Sequence, residues 1–200
     1  MERRKRVAVV TILGRPYYNI TRALRSMDIQ YDSLSPEQLG TSPPSVIITT
    51  QAEVDSIVEA AGEKTIAVIF DTELERYYPA VAKARILRSI RDSHDSRHYD
   101  DKLTIGVDPG SRIGISVIYL EEEIDSSVET SPADANQQIC ALLGGIESTR
   151  KVVRIGDGNM RMARSIARGI KERFGQDVSV EIVDEHGTSS PQNIEANRRG

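Results

Sequence analysis

Short apolar runs alternate with helix-length segments along the whole chain, and this alternation constrains the fold more than any single motif. Residues 6–13, 28–34, 45–50 ("SVIITT") and 66–70 ("IAVIF") have the length and β-branched content of strands. Helix-length stretches follow at 16–26, 51–61 and 72–91. Strands taken in turn with helices stack into α/β layers. Thr50 and Glu53 have the spacing of a capping box, and Asp71 can cap the next helix. "GTSPPS" at 40–45 reads as a loop, because consecutive prolines lack the amide donors that helix and strand need.

The second half continues the pattern. It reads as strands 103–108 and 113–120, a weaker strand or loop at 121–130, helix 132–147, strand 151–156, helix 159–174 and strand 178–184. Ser131 and Pro132 suit a cap and a first helical turn. Between the halves, "RDSHDSRHYDDK" (91–102) is almost devoid of apolar residues. The fold class expected is therefore α/β in two small domains: 1–92, a three-layer unit with a mainly parallel sheet; a linker at 93–102; and 103–200. His94 and His98 are four apart and flanked by Asp, yet without flanking periodicity they read as solvated linker rather than a metal clip.

Composition excludes several classes. The chain is 38% hydrophobic and 28% charged, so it is not a disordered one. No apolar run approaches the roughly 20 residues of a membrane span. The basic start "MERRKR" leads into a short apolar run without a cleavage site, so a cytoplasmic protein is expected. Cys140, the one cysteine, excludes an internal disulfide and a cysteine-rich zinc site. The net charge of −4 argues against a globally basic nucleic-acid binder but leaves room for a local basic surface. Trp is absent and the aromatic fraction is 4%, so base-stacking platforms are not obvious. Thr11, Gly14 and Arg15 fall at a strand-to-helix turn, where a helix amino end can hold an anion, but no dinucleotide fingerprint or P-loop accompanies them. The Tyr17–Tyr18 and Tyr77–Tyr78 pairs are expected to serve core and boundary packing.

The acids are the most suggestive feature. "LTIGVD" ends at Asp108, "KVVRIGD" at Asp157, and "VSVEIVDE" at Asp184 and Glu185. In open sheets, sites form beyond the carboxyl ends of parallel strands. Adjacent strands lie about 4.8 Å apart, so such acids can converge on one or two hard cations, Mg²⁺ or Mn²⁺. A plainer reading exists for each: Asp108 as a turn residue before Pro-Gly, Asp157 as a cap for helix 159–174, Asp184 as a turn former. Their joint occurrence at three strand ends favours a site.

"LTIGVDPGSRIGISVI" resembles the first hairpin of the ribonuclease H-like fold, in particular the RuvC and YqgF Holliday-junction-resolvase group. "VVRIGDGNMRMARSIARGIKERFG" resembles the YqgF strand that ends in an Asp-Gly turn before an amphipathic helix, and "VEIVDEHGTSS" its next strand. The resemblance covers about residues 103–190. It implies a mixed five-stranded sheet in order 3-2-1-4-5, with Asp108, Asp157, Asp184 and Glu185 as catalytic metal-binding acids. His186 stands where the family has Arg, and the sequence stops at "ANRRG" before the family's closing helix and its acid. A ribonuclease H-like sheet lacking its last helix, catalytically weak or silent, is therefore expected.

Helix 159–174 places Met162, Ala163, Ile166, Ile170 and Phe174 on one apolar face. Beside it, Arg161, Arg164, Arg168 and Lys171 form a stripe that could neutralise phosphates, although such stripes are more often simply solvated. The leading expectation is a divalent-metal-dependent nuclease acting on structured nucleic acid. The alternatives are an inactive ribonuclease H-fold module binding nucleic acid or protein, and an actin-like ATP-binding fold, for which the chain is short.

Overall fold

The computed structural model describes residues 7–40, 44–62, 65–69, 79–93 and 100–184. It is an α/β protein with two sheets. The first half forms β1 (Val7–Val9), α1 (Gly14–Ser26), β2 (Asp32–Ser33), β3 (Val46–Thr49), α2 (Val54–Ala61), β4 (Ile66–Ile69) and α3 (Pro79–Asp92). Its four strands are all parallel, in order β2-β1-β3-β4. Ile20 and Leu24 of α1 pack on Val7, Val9, Val46 and Ile48, while Ile57 and Ala61 of α2 pack on Ala8, Val10 and Ile47 from the other side. Strand alternation sends successive side chains to opposite faces, so a sheet covered twice needs an unbroken apolar run. "VAVV" and "VIIT" supply it.

The second half forms β5 (Lys102–Pro109), β6 (Ile113–Tyr119), β7 (Glu122–Glu129), α4 (Pro132–Gly145), β8 (Arg150–Gly156), α5 (Met160–Phe174) and β9 (Ser179–Val183). The order is β7-β6-β5-β8-β9, which is 3-2-1-4-5 within this half, with β5, β8 and β9 parallel and β6 and β7 antiparallel. Residues beyond 184, where the closing helix was in question, lie outside the described residues. So do His94 and His98, Asp71 and the Tyr77–Tyr78 pair.

Here only one face of the sheet is deeply buried. Leu103, Ile105, Val107, Ile115, Val117, Val153 and Ile155 pack against Ile139, Leu142 and Leu143 of α4 and Ala163, Ile166 and Ile170 of α5. Ser131 caps α4 by accepting from the Asp134 amide at 3.1 Å, as its place before Pro132 suggested. The doubtful stretch 121–130 is a strand whose alternation is broken by a bulge. Val117 pairs with Asp125 and Ile118 with Glu123, leaving Ile124 as the extra residue and buried.

The β6–β7 turn is made of Leu120 and Glu121, both at positive φ (52° and 68°). The type I′ turn of a two-residue hairpin requires this conformation, but side chains with a Cβ resist it. Leu120 is held by burial in the core, whereas Glu121 is exposed and has no such compensation. Glu121→Gly is expected to raise stability by about 0.5–1 kcal/mol, read as a higher urea midpoint at unchanged slope.

Among the described residues the two sheets exchange no strand, but they share α3. Ala82 and Ile86 complete the core of the first sheet, while Ala80, Val81 and Ala84 enter the core of the second. The approach is close enough that a Cβ on Gly145, the last residue of α4, would meet the Val81 side chain at 2.8 Å. Arg88 adds a polar tie, donating to the Glu147 carbonyl at 3.1 Å. The residues before the linker therefore belong to both packing units. Of the expected linker itself, 94–99 lie outside the described residues.

Candidate functional site

The β5–β6 hairpin decides between the readings of Asp108. Pro109 still pairs with Ile113, so the loop is Gly110, Ser111 and Arg112, and Asp108 lies inside the ladder opposite Gly114. It is not the turn former. The buried members of β5 are Leu103, Ile105, Val107 and Pro109, which sends Asp108 to the opposite face, where it is exposed. Among the described residues its carboxylate has no hydrogen-bond or ion-pair partner. A strand-interior Asp with no structural partner runs against strand preference.

Asp157 follows the last residue of β8, and its amide donates to the Val183 carbonyl at 3.0 Å, immediately before Asp184. Helix α5 is capped by Asn159, whose side chain accepts from the Met162 amide at 3.1 Å, so Asp157 is not the cap. Three acids thus stand at the carboxyl ends of the three neighbouring parallel strands. Register separates them. Val107 pairs with Ile155, so Asp108 is level with Gly156, one residue short of Asp157, while Gly156 pairs with Val183 and brings Asp157 level with Asp184. Among the described residues no group of three His, Cys, Asp or Glu side chains could hold a metal ion, and Glu185 lies outside them.

Reading along strands missed the surface beside Asp108. A groove of about 420 Å³ runs across the half-exposed face over Gly106, Gly114, Gly156, Ser116 and Ser126. The glycines lower its floor: a Cβ on Gly106 would meet Ser116 Oγ at 2.7 Å. Arg154 borders it, paired with Glu181 at 3.0 Å. The signal was available, since the small residues Gly106, Gly114, Ser116 and Ser126 all fall between the core-facing positions of their strands. On α5 the residues Arg161, Arg164 and Arg168 are exposed, and among the described residues they make no ion pair. Lys171 is committed elsewhere, donating to the Val178 and Gly175 carbonyls at 2.8 and 3.2 Å. Cys140 is buried, which pushes its thiol pKa up despite the nearby Arg173.

In the first half, the strand order reverses between β1 and β3, and ligands of open α/β sheets bind beyond the strand ends at such a point. Here the chain's own Glu53 fills it. Its carboxylate accepts from Thr11 Oγ1 (2.5 Å), Thr50 Oγ1 (2.6 Å) and the Ile12 amide (2.9 Å). The Thr50–Glu53 spacing therefore marks a tie across two strand ends, and α2 starts at Val54, later than the spacing suggests. Two of the donors an anion would use at the Thr11–Arg15 turn are taken.

Burial alone would raise the Glu53 pKa; the three hydrogen bonds outweigh it and hold the carboxyl below its ordinary value. A lowered carboxyl contributes stability above its unfolded value of about 4.3 and loses it as pH falls through the folded value. Glu53→Gln is expected to cost about 1–2 kcal/mol at pH 7. Thermal melts of the two proteins should converge as pH drops below about 4. A gap independent of pH would show that the ionised form is not what matters.

Among the described residues no helix is long and apolar enough to cross a membrane. No protein-family model matches the chain, and no curated protein matches it.

Proposed function

We propose that the second half is a ribonuclease H-like nuclease module of the RuvC/YqgF kind, acting on structured nucleic acid with Mg²⁺ or Mn²⁺. The observation that supports it best is Asp108: an exposed carboxylate inside a β-ladder, without a partner among the described residues, one strand over from Asp157 and two from Asp184. In this reading Asp108, Asp157 and the Asp184–Glu185 pair would hold the metal, whose chemistry would be to activate a water and stabilise the leaving oxygen. The glycine-floored groove admits a backbone close to Asp108. The exposed arginines of α5 lie beyond the opposite face of the sheet, where a strand continuing around its edge would meet them with its phosphates.

A second reading, a module that binds nucleic acid without cutting it, is favoured by one observation: the described acids alone do not gather into a three-ligand group. A cleavage panel with Mn²⁺ on branched DNA, RNA–DNA hybrid and single strands separates the two. Metal-dependent products lost in Asp108→Asn support the nuclease. Binding that depends on Arg161, Arg164 and Arg168, with no product on any substrate, supports the second reading.

A further inference from the structure

Helix α1 carries a surface that neither sheet uses. Arg15, Tyr18, Arg22 and Arg25 are all exposed. At 100° per residue they fall within an arc of about 80°, a single line about 15 Å long. The helix contains three arginines and no acid, and among the described residues none of the three guanidinium groups has an ion-pair or hydrogen-bond partner. The chain as a whole has four more acids than bases, yet among the described residues none is paired with this line.

The two tyrosines of α1, expected in core or boundary packing, divide their roles. Tyr17 anchors the helix to β2 through a 2.7 Å hydrogen bond between its hydroxyl and Ser33 Oγ. Tyr18 is 62% exposed in the middle of the arginine line, with Ile12, 77% exposed, just before the helix. An exposed ring flanked by unpaired guanidinium groups is the arrangement that stacks a base while its neighbours hold phosphates.

We propose that this face of α1 binds single-stranded nucleic acid, with Arg15, Arg22 and Arg25 on phosphates and Tyr18 stacked on a base. A duplex keeps its base faces covered, so the exposed ring favours a single strand. An anionic membrane is the poorer fit. A helix lying in a bilayer surface must offer its apolar face, and α1 buries Ile20 and Leu24 in the core of the first sheet. The proposal does not depend on the metal site or on cleavage.

The test is fluorescence anisotropy of the full chain with a labelled oligothymidylate and a duplex of equal length, across a salt series. Replacing Arg15, Arg22 and Arg25 together by Gln should weaken oligothymidylate binding at least tenfold and reduce the slope of log K against log salt by about 2, at about 0.7 per phosphate. Tyr18→Ala should weaken oligothymidylate binding about fivefold or more and leave duplex binding unchanged. Circular dichroism melts check that both variants fold. Unchanged affinity and salt slope in the triple variant would overturn the proposal, as would equal losses on duplex and single strand for Tyr18→Ala. So would an absence of oligonucleotide binding beside arginine-dependent binding to phosphatidylserine vesicles, which would assign the face to a membrane surface.

Discussion

Tyr119→Ala is expected to remove about 4 kcal/mol of stability, while Tyr119→Phe removes only about 1. Tyr119 closes β6 and is fully buried in the core of the second sheet. Its hydroxyl reaches Asp101 Oδ1 at 3.1 Å and the Glu147 carbonyl at 3.0 Å. Asp101 in turn accepts from the Thr149 amide and hydroxyl at 3.0 and 2.6 Å. Arg88 of α3 meets the same carbonyl, so the ring stands where the shared helix locks onto the second sheet. A cavity of about 260 Å³, lined by Val81, Ala84, Arg88 and Gly145, already lies beside it. Removing the ring enlarges a space that the surroundings have not collapsed to fill, which puts the cost in the upper range for an aromatic deletion. Removing the hydroxyl alone leaves the ring packing intact and costs one hydrogen bond. Urea denaturation of the three proteins measures both differences. A loss below about 2 kcal/mol for Tyr119→Ala, or equal losses for both variants, would mean that the ring is not the anchor described. Because α3 packs in both cores, the loss should lower the midpoint of one common transition rather than split it in two.

The order of elements was legible in the sequence because each run announces its own period. "VAVV", "VIIT" and "TIGVD" differ in whether alternate positions are polar, and the structure buries the first two on both faces and the third on one. The stretch 121–130 was less legible, since the bulge at Ile124 shifts the alternation midway. Helix 79–92 hid its role for a related reason. A helix apolar on two sides looks like an ordinary core helix until both partners are known, and its second partner, the end of α4 at Gly145, is more than fifty residues away.

The candidate site was legible only in part. That three strands end in acids can be read directly, but how they line up depends on register, which pairs Val107 with Ile155 and sets Asp108 one step below Asp157. Register comes from pairing between strands and is not encoded in any one of them. The tie from Glu53 to Thr11 spans 42 residues, and no local spacing reveals it. Its partner Thr50 lies three residues away, which is why the pair was legible as a capping box and misplaced as one.

Asp108→Asn is expected to leave stability unchanged within about 0.5 kcal/mol and, on the nuclease reading proposed above, to lower Mn²⁺-dependent cleavage at least about 10²-fold. The first expectation follows from what surrounds the side chain. It is exposed, it lies on the face away from α4 and α5, and among the described residues nothing bonds to its carboxylate. Asn has the same shape, so the ladder pairing with Gly114 has no reason to change. The second follows from charge. An amide keeps an oxygen donor but loses the negative charge that attracts a hard cation, and a metal held loosely is a metal misplaced. The contrast with Asp157→Asn sharpens the test. Asp157 already interacts within the fold, so its replacement should disturb stability and activity together. Urea denaturation and single-turnover cleavage on the same preparations separate the two classes of effect. A stability loss above about 1 kcal/mol in Asp108→Asn would make the acid structural after all. Full cleavage by the variant would place the chemistry away from the end of β5, because no other described acid lies on that strand beyond the core.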